Sequence, residues 1–414
     1  MQSISWFVNR EVVRWGFRTD RERRKVGARL QRALASKDLD YEDLAPTLES
    51  ECVTPCINGD CRAYWDANLI FKGNNLRLLA NVLACTFLHR HPSKFDRVVG
   101  IARSGLGFAS LVSLATNKSM SILLPDNILN LNPQPAMSER WLLIDDAYQS
   151  GYCLEAMWSQ MTGLQCPPRP EDVFVLFKSR GEDGEEIKSF DLTNRMRAAR
   201  AKVGTILQYD YDQQTGRPLF ESHGRQKVGV SVTNGILDVL RDRIDAATTA
   251  PFDIDRARRL IVQDGFSKVA LLLDYPDIVL AIGNQIRLKS SIGGPPLAFL
   301  IGSAKAIPFV VAACLCIMQR GESAPLMVLM EENGALAYDE MLLQAVRENK
   351  GNRRVVFVDT VRKGGRTFLA AKRGIDKFNR TYVQFQVDFE PGVIISNVAD
   401  WKVGSDPIAS QTIL

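Results

Sequence analysis

The apolar residues in the first half of the chain form short continuous runs, each followed by small or polar residues and then by a helical pattern. The run from Asp96 to Ile101 leads into a glycine-rich segment, Arg103 to Gly107, and a helix is predicted from Phe108. A second run, Trp141 to Ile144, leads directly into polar residues. Continuous apolar runs of this length are typical of strands buried in a parallel sheet. The pattern predicts an α/β fold.

The second half of the chain repeats this order of elements. The segment Phe299 to Ala313 aligns with the first run and its loop. The segment Arg353 to Gly374 aligns with the second run and with the turn and helix that follow it. Self-similarity on this scale indicates a tandem duplication of one fold rather than a short-repeat array. We predict a basic helical segment at 1–50, a first domain at 51–225 and a second, degenerate domain at 226–414, since 414 residues suffice for about two domains.

Charge and composition bear on two questions, namely whether the chain binds an acidic partner and whether it crosses a membrane. The net charge is only +5, but between Arg10 and Arg32 the basic residues clearly outnumber the acidic ones. A helix there would present a basic surface to nucleic-acid phosphates or to an acidic protein, and a solvated helix face is the plainer alternative. No apolar run approaches the roughly 20 residues that cross a bilayer, and the N-terminus lacks the order of a signal peptide, so we expect no membrane association and a cytoplasmic location.

Candidate chemistry lies directly after the second apolar run. Asp145 and Asp146 follow that run, and Gln149, Ser150 and Gly151 form a small-residue turn before the next helical pattern. Backbone N–H groups of such a turn at a helix N-terminus favour a phosphate, and glycine permits close approach. The two carboxylates can accept hydrogen bonds from ribose hydroxyls. The alternative is a plain strand-turn-helix with a solvated acidic corner.

This segment resembles the signature of type I phosphoribosyltransferases, in which two acids precede a loop that binds 5-phosphoribosyl pyrophosphate. The resemblance implies that Asp145 and Asp146 bind the ribose hydroxyls and hold Mg²⁺ through water. It also implies that the 5-phosphate is bound by the turn, here Gln149, Ser150, Gly151 and Cys153. Cys153 stands where a second Thr or Ser is usual.

The glycine-rich segment after the first run resembles the pyrophosphate loop of the same family. The resemblance places Arg103, Ser104 and Gly105 around the pyrophosphate and makes Arg103 a catalytic residue beside the two acids. The lead-in from Arg62 to Asp66 is most similar to the orotate branch. The segment Asp126 to Arg140 departs from the family, because it is short and nearly devoid of Lys and Arg where related enzymes carry a long basic mobile loop.

The second copy has diverged in a different way. Its candidates for the same site are Lys305, Asp359, Gly364, Gly365 and Thr367. Asp359 aligns with Asp145, and Lys305 occupies the position of a lysine in orotate-type enzymes. Thr360 replaces the second acid, so the first copy is favoured as the sugar-phosphate site.

The resemblance implies two tandem phosphoribosyltransferase-type, Rossmann-like domains, each a mostly parallel sheet flanked by helices. It implies a small-molecule phosphoribosyl or nucleotide ligand, Mg²⁺, and transfer or removal of a base at ribose C1. The alternative is a non-catalytic nucleotide-sensing or effector module of a larger complex, of a defence or toxin type, that docks nucleic acid or protein through residues 10–32. A homo-oligomer or an internal pseudo-dimer is expected, and the sequence does not name the base.

Overall fold

The chain divides into two compact units in the computed structural model. The first unit is Met1–Ile70 with Asn74–Leu240, and the second is Phe71–Gly73 with Arg241–Leu414. The structure describes residues 53–54, 64–65, 95–102, 105–124, 130–133, 136, 139–148, 169–179, 202–211, 218–220, 235–263, 266–267, 269–291, 293–330, 336, 339–349, 351–361, 366–396 and 411–414. The predicted segment 1–50 and the predicted boundary at 225/226 lie outside these residues.

The main sheet of the first unit has seven strands in the order β5-β4-β3-β6-β7-β8-β9. Its strands are β3 Arg97–Ile101, β4 Ser119–Leu124, β5 Asn130–Asn132, β6 Arg140–Tyr148, β7 Arg169–Ser179, β8 Lys202–Tyr211 and β9 Pro218–Phe220. A separate two-stranded pair is formed by β1 Val53–Thr54 and β2 Tyr64–Trp65. Five neighbouring strands, β4, β3, β6, β7 and β8, run parallel, and β5 and β9 pair antiparallel at the two edges.

The central strands of this sheet are buried because their sequences are apolar. Every residue of β3 is buried, and Trp141 to Ile144 in β6 are each 2% exposed or less. Helix α1, Leu106–Thr116, follows β3 and buries its first nine residues, Leu106 to Leu114. It ends at Asn117, whose φ of 57° is left-handed. The predicted strand and helix are confirmed, and the helix begins two residues earlier than predicted.

The second unit contains a five-stranded, fully parallel sheet in the order β13-β12-β14-β15-β16. Its strands are β12 Ala298–Ile301, β13 Leu326–Leu329, β14 Arg354–Val361, β15 Asp388–Ser396 and β16 Gln411–Thr412, and a short pair is formed by β10 Val262–Gln263 and β11 Phe266–Ser267. The helices in this part of the chain are α2 Gly235–Thr249, whose first six residues belong to the first unit, α3 Ile254–Ile261, α4 Pro276–Ser290, α5 Ile307–Gln319, α6 Asp339–Glu348 and α7 Arg366–Thr381. Mostly parallel sheets with helices confirm the predicted α/β class.

The parallel strands of the two sheets share one order, and the central pair of strands in each sheet has an equivalent register. In chain order, β3, β4, β6, β7 and β8 occupy the same places in the first sheet as β12, β13, β14, β15 and β16 in the second. Gly100 of β3 pairs with Ile144 of β6, and Ile301 of β12 pairs with Val358 of β14. The residue after each pair in β6 or β14 is an aspartate, Asp145 or Asp359. The two acids therefore occupy equivalent positions within their sheets.

Ion pairs fix the amino ends of the central strands. Arg97 Nε lies 2.6 Å from Glu139 Oε2, and Arg140 Nη2 lies 2.9 Å from Asp96 Oδ1. Arg354, the first residue of β14, contacts both carboxylate oxygens of Glu390 at 2.6 and 2.9 Å. Each of these arginines is the first residue of its strand, so this end of both sheets is occupied by structural contacts. Among the described helices, none is both long and apolar enough to cross a membrane.

Candidate functional site

The predicted site of the first unit lies at the carboxyl ends of β3 and β6. The structure describes Gly105 and Asp145 in full and Asp146 through its place in β6. The remaining predicted residues of this unit, Arg103, Ser104, Gln149, Ser150, Gly151 and Cys153, lie outside the described residues. Because β3 and β6 are adjacent and parallel, the two loops that follow them leave the sheet at the same edge.

Gly105 joins the two motifs. A Cβ atom on Gly105 would lie 2.7 Å from the carbonyl oxygen of Ile144 and 2.8 Å from the Cα atom of Asp145. Gly105 has φ −70° and ψ −13°, an ordinary right-handed conformation, so the requirement for glycine here is space and not backbone freedom. The loop after β3 therefore packs directly onto β6 at the first of the two acids.

The strand β6 extends further than predicted. The apolar pattern ends at Ile144, but β6 continues to Tyr148 because β7 supplies backbone partners opposite Asp145, Ala147 and Tyr148. Both acids are thus held in a strand instead of a loop. The Asp145 side chain is only 6% exposed. An ionised carboxylate loses favourable hydration when it is buried. Holding a charged Asp145 here therefore costs more free energy than holding it in the solvated acidic corner that the sequence left as an alternative.

The second unit brings three polar side chains together at the equivalent place. Asp359 Oδ1 accepts the backbone N–H of Thr360 at 2.7 Å, and the hydroxyls of Ser303 and Thr360 lie 3.3 Å apart. A Cβ atom on Gly302 would lie 2.8 Å from Asp359 Oδ2, so the loop after β12 packs onto this carboxylate. Ser303 was not among the predicted site residues, although it is the first hydroxyl-bearing residue after the apolar strand β12.

Burial dominates the electrostatics of Asp359. The residue is 5% exposed, and desolvation raises the pKa of its carboxyl above the ordinary value. Hydrogen bonds from Ser303 and Thr360 act in the opposite direction and only partly offset the burial. A carboxyl with a raised pKa at the carboxyl end of parallel strands is a common property of functional sites.

The other second-copy candidates flank this cluster along the chain. Lys305 lies in the short 3₁₀ turn Ala304–Ala306, which precedes α5, and Thr367 is the second residue of α7. Both side chains are partly exposed. Gly364 and Gly365, predicted for the phosphate turn, lie outside the described residues.

Part of the segment that stands in place of the family's mobile loop is bound to the sheet. Asn130–Asn132 forms β5 and pairs antiparallel with β4, the parallel strand nearest that edge. Ser121 Oγ donates a hydrogen bond of 2.6 Å to the carbonyl oxygen of Pro133. These contacts hold residues 130–133 against β4, which differs from a free loop that closes over a ligand.

Asp145 and Asp146 are the residues of the first unit that could hold Mg²⁺. Within the described residues, no group of three or more His, Cys, Asp or Glu side chains is arranged to hold a metal ion. Two adjacent carboxylates at a strand end match the preference of Mg²⁺ for few protein oxygens and several waters. Asp145, buried at the end of the apolar part of β6, is the described member of that pair.

Comparisons with known proteins give only structural similarities. No protein-family model and no curated protein sequence matches the chain. The orotate phosphoribosyltransferase of Aeropyrum pernix is similar with a TM-score of 0.31 and 17% identity, covering 40% of this chain and 93% of that chain. The adenine phosphoribosyl transferase of Trypanosoma brucei, solved with AMP, pyrophosphate and ribose-5-phosphate, gives 0.33 and 12%, covering 44% and 87%.

A third similar structure is the UMP synthase of Leishmania donovani, with a TM-score of 0.32 and 16% identity over 48% of this chain. The chain spans 38% of the length of that protein. Two of the three proteins carry the name of the family that the sequence motifs resemble.

Proposed function

We propose that the chain is a phosphoribosyltransferase-family protein built from two divergent type I copies. Support comes from the shared strand order and register of the two sheets and from the equivalent positions of Asp145 and Asp359. Both copies also place a helix directly after the first strand of the set, α1 after β3 and α5 after β12. Two unrelated sheets would not be expected to agree in register as well as in order.

The first copy is the proposed site for 5-phosphoribosyl pyrophosphate or a nucleotide. The observation that carries this proposal is the packing of Gly105 onto β6 at Asp145, because it joins the pyrophosphate-type loop to the acid pair. In this assignment Asp145 and Asp146 bind the ribose hydroxyls, and the turn at Ser150 and Gly151 binds the 5-phosphate. A charge-assisted hydrogen bond from each hydroxyl would fix the sugar relative to the pyrophosphate loop.

The proposed chemistry is exchange of pyrophosphate for a base at ribose C1, or the reverse. Arg103 and the backbone around Ser104 and Gly105 would bind the pyrophosphate and stabilise its charge as the C1–oxygen bond breaks. Asp145 and Asp146 would hold the ribose so that positive charge can develop at C1. Mg²⁺, held through water by the two aspartates, would supply further neutralisation of the leaving group.

A non-catalytic sensing or effector module is the second candidate, and one observation favours it. Residues 130–133 are held against β4 where a catalytic relative would be expected to have a free basic loop. Closure of such a loop excludes water and positions donors during turnover. A chain without that closure can still bind a nucleotide-like ligand and report it to a partner.

Turnover of labelled 5-phosphoribosyl pyrophosphate with a panel of bases tests the enzyme proposal. The wild-type chain is expected to release pyrophosphate with at least one base, and Asp145→Asn with Asp146→Asn is expected to reduce turnover by about a hundredfold or more, since two charged contacts are lost at roughly 1.5–3 kcal/mol each. Equal turnover in both proteins would remove the assignment of this site.

Thermal unfolding with the same ligand and Mg²⁺ separates the two candidates. Stabilisation that grows with ligand concentration and occurs without product would support the sensing module. Stabilisation accompanied by product supports the enzyme, and the absence of both contradicts binding.

A further inference from the structure

The exposed face of helix α7 carries an unusual concentration of positive charge. The helix, Arg366–Thr381, has 16 residues with the sequence RTFLAAKRGIDKFNRT, of which five are basic and one is acidic. All six charged side chains are exposed. The opposite side of the helix is buried through Ala371, Gly374, Ile375 and Phe378. The charged residues are therefore confined to the exposed side of the helix, and the buried side packs against the rest of the unit.

Four of the basic residues lie on one side of the helix and are called the stripe below. Arg366, Arg373, Lys377 and Arg380 are separated by seven, four and three positions, which are spacings that bring side chains onto one side of an α-helix. At a rise of about 1.5 Å per residue the stripe is roughly 21 Å long. Lys372 lies beside it, so the basic residues are concentrated between positions 372 and 380, with Arg366 at the start of the helix.

The charges of the stripe are not neutralised within the described part of the chain. None of its four residues forms an ion pair there, and Arg380 Nε donates instead to the carbonyl oxygen of Asp376 at 3.2 Å. Arg373 and Lys377 are four positions apart, where like charges repel, and Arg366 occupies the first turn, where a positive charge opposes the helix dipole. Arg366 and the Arg373–Lys377 pair are thus kept at positions that do not favour the helix, whereas Arg380, in the last turn, complements the helix dipole.

The other described helices of the second unit differ from α7. Helix α2 has two basic and three acidic residues, and α6 has one basic and three acidic residues. Helix α3 is the nearest in charge, with Arg256, Arg258 and Arg259 against Asp255, but it has only eight residues. The stripe is therefore a local property of α7 rather than the general charge of this unit.

We propose that the exposed face of α7 binds the phosphate backbone of nucleic acid. Protein–protein interfaces have apolar centres that are enriched in aromatic residues, whereas this face has a single exposed large apolar residue, Leu369, among its basic side chains. Interfaces with nucleic acid are polar and strongly positive, and Arg and Lys contacts to phosphate require no sequence-specific pocket. The residues of this surface are different from the basic residues predicted at 10–32, and the inference does not depend on the proposed catalytic site.

The salt dependence of duplex DNA binding by the full chain tests the proposal. Affinity for a labelled duplex of about 20 base pairs would be measured by fluorescence anisotropy between about 50 and 200 mM salt. In the α7 variant Arg373, Lys377 and Arg380 are replaced by Gln, which keeps helix propensity. The matched control removes the same charge from α3 through Arg256→Gln, Arg258→Gln and Arg259→Gln, residues that are equally exposed.

The α7 variant is expected to bind about tenfold or more weakly, and its log–log salt slope should fall by about 0.9 for each phosphate contact removed. The α3 control should bind as the wild type does, and Arg373→Lys with Arg380→Lys should retain binding. Equal weakening of both Gln variants would show a net-charge effect and overturn the proposal. Unchanged duplex binding by the α7 variant would also overturn it, even if heparin binding fell.

Discussion

Alanine in place of Gly105 is expected to reduce both the stability of the first unit and its affinity for 5-phosphoribosyl pyrophosphate. The added Cβ would lie 2.7 Å from the carbonyl oxygen of Ile144 and 2.8 Å from Asp145 Cα, and backbone atoms cannot move aside as a flexible side chain can. The loop must therefore shift away from β6. Overpacking of this kind costs roughly 1–3 kcal/mol of unfolding free energy. Affinity should fall by about tenfold, equivalent to about 1.4 kcal/mol.

Gly351→Ala is a suitable control for this substitution. A Cβ atom on Gly351 would meet nothing within 4 Å, so the same chemical change is expected to leave stability unchanged or slightly higher. Denaturant unfolding monitored by hydrogen exchange in each unit gives the stability, and calorimetric titration gives the affinity. If Gly105→Ala bound the ligand as tightly as the wild type, the close packing of this loop on Asp145 would have no functional role.

Asparagine in place of Asp359 is expected to stabilise the second unit at neutral pH. The pKa of this carboxyl is raised, chiefly because burial penalises its charged form. Asn is nearly isosteric, and its Oδ1 can still accept the Thr360 N–H. Each pKa unit by which the folded value exceeds the unfolded value lowers the unfolding free energy of the ionised wild type by about 1.4 kcal/mol. The Asn variant does not carry this cost.

The pH dependence of this difference follows from the direction of the pKa shift. In the unfolded chain the carboxyl ionises near its ordinary pKa of about 3.9, whereas in the folded unit it stays protonated to higher pH. Stability of the wild type therefore falls as pH rises from the ordinary pKa through the raised one, and is constant above it. The advantage of Asp359→Asn should be absent below the ordinary pKa, should grow as pH rises, and should be complete once the pH exceeds the raised pKa of Asp359.

Asp388→Asn on the neighbouring strand β15 provides the control, because Asp388 is exposed. Its effect should stay within about 0.5 kcal/mol at each pH. Hydrogen exchange of peptides from the second unit measures both variants across a pH series. A wild type that is more stable than Asp359→Asn at neutral pH would show that the hydrogen bonds from Ser303 and Thr360 outweigh burial. If Asp359→Asn is more stable than the wild type at neutral pH, the carboxylate of Asp359 is retained for a purpose other than stability.

The sequence predicted the buried strands because their apolar residues are continuous. The run at Asp96 to Ile101 became β3, and the run from Trp141 became β6. The end of β6 was not predictable from its own residues. Two carboxylates interrupt the apolar pattern after Ile144, but the backbone of β7 continues alongside and extends the strand to Tyr148. Strand ends depend on the neighbouring strand as well as on local sequence.

Contacts between distant residues were the least predictable part of the site. The motifs around Gly105 and Asp145 were expected at the same edge of the sheet, but the sequence did not show that Gly105 would leave no room for a Cβ. Ser303 and Asp359 are far apart along the chain and meet only because β12 and β14 are neighbours. The charge of α7 is visible in the sequence, but its confinement to one exposed face required the burial of Phe378 and its neighbours.

Calorimetric titration of the full chain with 5-phosphoribosyl pyrophosphate and Mg²⁺ tests the central claim most directly. The wild type, Asp359→Asn, and the chain carrying both Asp145→Asn and Asp146→Asn would be compared under the same conditions. Binding by the wild type and by Asp359→Asn with similar affinity, and its loss on replacement of Asp145 and Asp146, is the predicted result. Retention of binding without Asp145 and Asp146 would contradict the assignment of the first unit as the ligand site.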